Sequence, residues 1–425
     1  MQKSLVLACA LSTLFVARAH ADSTTLPNDK KFVNPTGASS SHSTLGDTDL
    51  TQGFFQKLGT NDRTCGTCHL ASDGWSVSVS SAQKIFNDSE GLAALFQFDG
   101  QNAPGLDRST LEARRIASSL MITKALVRFN LALPSNAEFQ IVASEGTYGN
   151  PITPTSLVVY RRILPTTNFR DLQTVLWDGR GNTIPGTTNA AERLAAIFIG
   201  GTALHAEGTV APSDAEAQIA KDFMLSLSNA QIIDQMTGAL DVAGAFGGAL
   251  NHSNNMPTPA AGVTFNLFNA WASPTSSMTG SNPNRAQVAR GQALFNNRVF
   301  PNGGKCSGCH TSPNQGNNSN NVLFNIGIAD ATRRTPDLPL YTLKNLATKE
   351  TVQSSDPGLG MTTGKWADVG KFKAPQLRGL ASRAPYFHNG FASSLEAVVN
   401  FYNGRFNIGL TEAEKADLVA FLRSL

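Results

Sequence analysis

Two pentapeptides constrain this chain more than anything else in it: Cys65-Gly66-Thr67-Cys68-His69 and Cys306-Ser307-Gly308-Cys309-His310. Two thiols three positions apart on one short turn can each form a thioether with a haem vinyl group, and the histidine that follows then points back at the iron. The chain has five cysteines, and apart from Cys9 all of them fall in these motifs, so no later cysteine is left for a structural disulfide. A shared zinc site would want its second ligand pair nearby, whereas His69 and His310 are 241 positions apart. A thioredoxin-like centre would sit in a βαβ context and would not demand the histidine. The motifs therefore indicate two covalently bound haem c groups, held through Cys65, Cys68, Cys306 and Cys309, with His69 and His310 as iron ligands.

Lys3, the apolar run Ser4 to Val16 and the small-x-small sequence Ala19-His20-Ala21 have the form of a secretory signal peptide over residues 1–21. The expected location is periplasmic, which also suits covalent haem attachment. No later stretch is long and apolar enough to cross a bilayer, so no membrane insertion is expected. The composition, 41% hydrophobic and 15% charged, is that of a globular protein, and a net charge of +3 is too small to argue for nucleic acid.

Helical periodicity is clearest around the second motif. Val288, Gly291, Leu294 and Phe295 precede it at helical spacing. Thr411 and Glu414 form a capping box ahead of Leu418, Phe421, Leu422 and Leu425. Further helices are expected at Leu50–Leu58, 81–96, 109–121, 190–199 and 213–236, with an irregular arm over 22–46 and irregular chain over much of 70–190. The fold class expected is mainly α, with two cytochrome c-like haem domains and long loops. Residues 22–280 would form the N-terminal haem domain and 281–425 the C-terminal one, with the Asn-, Ser-, Pro- and Gly-rich segment 251–284 as linker.

The block Ala384-Pro385-Tyr386-Phe387-His388-Asn389-Gly390 and the segment Leu176-Trp177-Asp178-Gly179-Arg180 resemble the bacterial di-haem cytochrome c peroxidase family, including its relatives that oxidise protein tryptophans. The resemblance runs in order over about 50–425 and is strongest after 285. It implies that one haem, by motif order that of His69, reacts with hydrogen peroxide, and that the His310 haem relays electrons. The reductant would be a small redox protein, a c-type cytochrome or cupredoxin, or an oxidisable partner protein.

The same resemblance implies site roles. Trp177 matches the family's tryptophan between the haems, and it could equally pack an interface. Glu207 is the best match to the family's acid/base, with Glu192 second; a carboxylate there could also be a solvated helix end. Many members cap the resting peroxidatic iron with a histidine soon after the first motif. None lies between His69 and His205 here, so the iron would be open, or capped by His205 or His42. Tyr402 occupies the position of the second haem's sixth ligand, where other peroxidases carry Met and the tryptophan-oxidising relatives carry Tyr; Met361, in a Gly-rich loop, competes with it. A phenolate ligand would lower the potential relative to a thioether. Arg180, Arg378 and Arg383 are candidates for pairing with haem propionates, and His388 could be a propionate donor or a structural histidine. The family also holds one calcium ion, partly through backbone carbonyls beside Ala384-Pro385, where this chain has Arg383 in place of Thr. A pure electron-transfer cytochrome and a di-haem oxygenase are the competing functions.

Overall fold

A computed structural model describes residues 24–148, 152–169, 172–272, 282–335 and 337–425. The expected signal peptide, Cys9, and residues 273–281 of the expected linker lie outside them.

Among the described residues, eight strands have three or more residues: β1 Phe32–Asn34, β2 Gly37–Ser43, β3 Leu126–Ala132, β4 Phe139–Glu145, β5 Ser156–Arg162, β6 Leu227–Asp234, β7 Leu340–Asn345 and β8 Thr351–Ser354. Six helices have eight residues or more: α1 Val79–Ser89, α2 Ala190–His205, α3 Asp214–Ser226, α4 Asn284–Asn297, α5 Leu395–Phe406 and α6 Glu412–Arg423. The mainly α expectation is corrected here, since helix makes up 35% and strand 17%, in several sheets.

The reasons are local. From residue 24 on, the segment expected as an irregular arm is not irregular: β2 is flanked by β1 and β6, antiparallel to both. Its sequence, Gly-Ala-Ser-Ser-Ser-His-Ser, has no apolar alternation to betray it. Its small side chains are nevertheless mostly buried, so both faces lie within the protein. The helix expected over 213–236 stops at Ser226, and the chain continues as β6. Leu50–Leu58 yields only a single 3-10 turn, Gly53–Phe55. The stretch 70–190 holds β3, β4 and β5, whose runs Leu-Val-Arg-Phe and Leu-Val-Val-Tyr are ordinary β formers. β3 pairs with β5, and β4 pairs with β7, which carries β8 on its other edge.

The C-terminal helices follow their periodicity. The Thr411 side chain accepts from the Glu414 backbone N–H, completing the capping box at the start of α6. α4 and α6 pack around Val288, Phe295, Phe421 and Leu422. Phe265, Phe268 and Trp271, from the segment expected to be linker, are fully buried in the same cluster. The crossing depends on Gly291, where a Cβ would lie 2.0 Å from the Asp417 carbonyl oxygen. Arg290 then closes the contact with two hydrogen bonds to the Asp417 carboxylate, 2.8 and 2.9 Å. Because backbone cannot yield as a side-chain end can, Gly291→Ala is expected to cost about 1–3 kcal/mol or more. A denaturant midpoint unchanged in that variant would contradict the close crossing.

Candidate haem and redox centre

The first motif forms a 3-10 turn, Cys65–Thr67, capped by the Thr64 side chain on the Thr67 N–H. The His69 N–H donates to the Cys65 carbonyl at 3.0 Å, which brings the ring round beside the thiols. His69 Nδ1 donates to the Trp75 carbonyl at 3.0 Å. A histidine that spends Nδ1 on a carbonyl keeps Nε2 as the nitrogen for a metal. Trp75 is itself fixed, with its indole N–H donating to Ser41 Oγ on β2 at 2.7 Å and its ring packed against Phe54. Burial holds His69 neutral, pulling its pKa down to about 4, and pushes the Cys65 and Cys68 thiols up to about 12 and about 11. The cysteines are free and form no disulfide.

The second motif repeats this arrangement. Cys306–Cys309 is one helical turn, the His310 N–H donates to the Cys306 carbonyl at 3.1 Å, and His310 Nδ1 donates to the Gly316 carbonyl. Burial again lowers the His310 pKa. This turn opens on a cavity of about 270 Å³ whose walls include Cys306, Cys309, His310, Tyr402, Trp177 and Lys373. Apolar side chains from α4, α5 and α6 line much of the rest. Two thiols, an oriented imidazole and an apolar slot with a few cations at its edge fit a covalently bound haem.

The structure separates the two competing sixth ligands. Tyr402 is on the cavity wall, its ring stacked on Phe406 with centroids 6.1 Å apart. Met361 is buried elsewhere, packed with Phe139, Tyr341 and Leu343. Trp177 is also on the cavity wall, its indole N–H donating to the Arg162 carbonyl at 2.7 Å, and it meets His388 edge-on at 6.2 Å. His388 is fully buried, stacks on Phe372 at 3.8 Å, and burial pulls its pKa down to about 4. Arg383 reaches the cavity. Arg180 instead pairs with Asp178, and Arg378 donates to the Gly248 carbonyl.

Near the first motif, His205 ends α2 with Nδ1 bonded to Asp99 at 2.5 Å. The buried Asp99 also takes a hydrogen bond from Arg63. Arg63, two positions before Cys65, also donates to the His205 carbonyl at 3.4 Å, which puts this trio beside the first thiol turn. Glu207 follows in a left-handed conformation, with an exposed side chain and a carbonyl that accepts from Thr60 Oγ1. Glu192 caps the other end of α2, accepting from the Thr188 N–H and hydroxyl. His42 pairs with Asp29 at 2.9 Å.

Several groups escaped sequence reasoning. Asp99 and Arg63 carry no motif, and their pairing depends on a loop that only the fold brings round. Lys373 is buried on the cavity wall, bonded to the Thr174 carbonyl at 2.7 Å, and burial pulls its pKa down to about 7. Beside Trp177, Arg161 bridges two buried carboxylates, bonding Asp178 at 2.6 Å and Asp356 at 2.7 and 2.9 Å. Arg180 adds a second cation, so the Asp178 pKa is depressed despite burial. Removing the shared cation takes from Asp356 its guanidinium partner and leaves Asp178 with Arg180 alone. Arg161→Met is expected to lose about 3–5 kcal/mol of stability at pH 7. Asp178 has a folded pKa below its unfolded one, so its share of the stabilisation is full above about pH 5 and shrinks as pH falls. Urea melts of both chains at pH 7 and pH 4 test this. The gap between them should narrow in acid.

No family profile matches the sequence. A 163-residue stretch, 33% of this chain and 40% of the relative, is 32% identical to cytochrome-c peroxidase IdrP1 of Denitromonas iodatirespirans. A 156-residue stretch, 33% of this chain and 39% of the relative, is 35% identical to cytochrome-c peroxidase IdrP2 of Pseudomonas sp. (strain SCT). The chain thus spans about two fifths of the length of these relatives. Among solved structures, it is similar to a MauG-like protein associated with microbial copper homeostasis, with 17% identity, 88% of this chain and 87% of that chain covered, and a TM-score of 0.39. It is also similar to a variant of the dihaem peroxidase BthA from Burkholderia thailandensis, with 17% identity, 95% and 94% covered, and a TM-score of 0.34. TM-scores this low leave the detailed folds apart.

Proposed function

We propose that this relative of the bacterial di-haem cytochrome c peroxidases is a periplasmic oxidoreductase that carries two covalent haem c groups and reduces hydrogen peroxide. Electrons would come from a small c-type cytochrome or cupredoxin, or from an oxidisable residue on a partner protein. One observation carries this reading: both motif histidines spend Nδ1 on a backbone carbonyl, and the second opens on an apolar cavity that also displays Tyr402 and Trp177. When bound, haem iron supplies the peroxide-binding and electron-transfer chemistry.

The chain's own residues supply the rest. Cys65 and Cys68, and Cys306 and Cys309, tether the two porphyrins, and His69 and His310 present Nε2. Asp99 holds the proton on His205 Nδ1 and leaves His205 Nε2 to take a proton from one peroxide oxygen and return it to the other. The pairing with a buried carboxylate favours His205 for this work over Glu207, whose side chain is exposed. Trp177 offers its π system at the wall of the relay site, and Tyr402 offers a phenolic oxygen on the wall of the cavity that His310 also lines. With His205 bonded to Asp99 and His42 to Asp29, the His69 site is expected to be open and to react with peroxide without prior reduction.

Ferric EPR with and without peroxide tests this. A high-spin signal that peroxide removes is expected. Low-spin signals alone, unmoved by peroxide, would leave an electron-transfer cytochrome instead. Cys65→Ala combined with Cys68→Ala should leave the haem at the second motif alone, read as half the pyridine haemochrome absorbance per chain. His205→Gln is expected to slow the peroxide reaction by about 10²–10⁴-fold, the usual worth of a positioned acid/base, while Glu207→Gln changes it little. Tyr402→Phe should alter the low-spin signal of the second haem and leave the high-spin signal in place.

A further inference from the structure

Arg162 is the last residue of β5, adjoins Arg161 in the sequence and is 5% exposed. Unlike Arg161, its hydrogen-bond partners are backbone carbonyls. Nη2 donates to the Arg383 carbonyl at 2.8 Å, and Nη1 to the carbonyls of Lys124 and Ala125, at 3.3 Å each. Those two carbonyls lie at the C-terminal end of the short helix Ser119–Lys124, where the peptide dipoles favour a cation. The Arg162 main chain makes two further ties. Its N–H donates to the His388 carbonyl at 2.6 Å, and its carbonyl accepts the Trp177 indole N–H at 2.7 Å. One residue thus joins the helix end, the Ala384–Gly390 block and the tryptophan of the relay site.

A positive group ringed by carbonyl oxygens is the environment a calcium ion takes in proteins. The Arg383 carbonyl immediately precedes Ala384-Pro385, the position at which the family resemblance puts calcium ligands. Here that oxygen already accepts a guanidinium N–H. A second observation also opposes a dication there. The Arg383 guanidinium is also buried, donating to the carbonyls of Gly379, Gln376 and Arg378, so an arriving ion would meet a second fixed positive charge. Burial, and then the charge of Arg383, pulls Arg162 down to about 9, which leaves it protonated at neutral pH.

We propose that the Arg162 guanidinium stands where the family resemblance places an interdomain calcium ion, and that this protein binds no calcium there. The inference concerns the junction between the Trp177 loop and the His388 block, so it stands or falls separately from peroxide reduction. It extends to the haem sites only by holding Trp177 in place.

The test uses the full holoprotein, purified in calcium-containing buffer, desalted and analysed for metals. Calcium should be well below one ion per chain. The melting temperature and ferric spectrum should be the same in EGTA as in excess calcium. A retained, stoichiometric calcium whose removal by EGTA shifts either readout would overturn the proposal. Arg162→Ala supplies the second arm: it should melt lower and regain part of the loss when calcium or guanidinium ion is added, whereas wild type responds to neither. A variant indistinguishable from wild type in melt and spectrum would also overturn it. If the variant does not fold, the calcium content and EGTA response of wild type decide.

Discussion

The hydrogen bond from His69 Nδ1 to the Trp75 carbonyl is the contact on which the first site depends. Imidazole has two nitrogens and, when neutral, one proton. Until that proton is placed, neither nitrogen is committed to a metal. The Trp75 carbonyl places it, and the fold in turn places Trp75. Its indole is anchored on Ser41 of β2, and its carbonyl also accepts the Thr166 N–H at 3.1 Å. The adjacent Ser76 bonds the Ile163 carbonyl at 2.6 Å, next to Arg162, and lines the second cavity. Two residues of chain therefore connect the orientation of the first histidine with the wall of the second site. The second site repeats the device with the Gly316 carbonyl and needs no tryptophan for it.

Around Trp177 the chain concentrates charge where a buried core would avoid it. Arg161, Asp178, Asp356 and Arg162 are all nearly inaccessible. Ion pairs of this kind are poor sources of net stability, since desolvation roughly offsets attraction. Their effect here is positional. Arg161 ties β5 to both the Trp177-Asp178 turn and the Asp356 turn, and Arg162 ties β5 to the block that carries His388. The indole N–H itself ends on the Arg162 carbonyl. The tryptophan is thus held by neighbours that cannot shift far without disturbing a buried charge.

The parts of the molecule legible in the sequence are those in which chemistry or periodicity is local. The thiol turns, α4, α6 and the Thr411–Glu414 cap can be read from a window of a few residues. What escaped is non-local. β2 carries serines where a strand would show alternating apolar residues, because both its faces are enclosed by small polar contacts, such as Ser39 with Ser382. Phe265, Phe268 and Trp271 lie in a stretch whose Asn, Pro and Gly content suggested a linker, yet they fill the C-terminal core. The place of Tyr402 on the cavity wall could be anticipated, because it follows a family spacing. Asp99, Arg63 and Arg162 could not, because each acts through a partner tens to hundreds of positions away.

The same C-terminal core shows how a chain with so many loops can be stable. The cavity beside Cys306 and His310 is about 270 Å³, walled by side chains of α4, α5 and α6 together with residues of the intervening segments such as Phe324, Ile328, Phe372 and Leu377. At the cost of roughly 24 cal/mol per Å³ found for apolar cavities, filling it is worth about 6 kcal/mol. That is on the order of the whole stability of a typical domain, about 5–15 kcal/mol. α4 and α6 meet directly at the Gly291 crossing, and α5 packs on α6. Elsewhere they face the cavity, and a group bonded to two cysteines and one histidine would supply the missing contacts. Attachment of such a group at the second motif and packing of the last 140 or so residues would then be coupled steps, since the group would sit at the centre of the core.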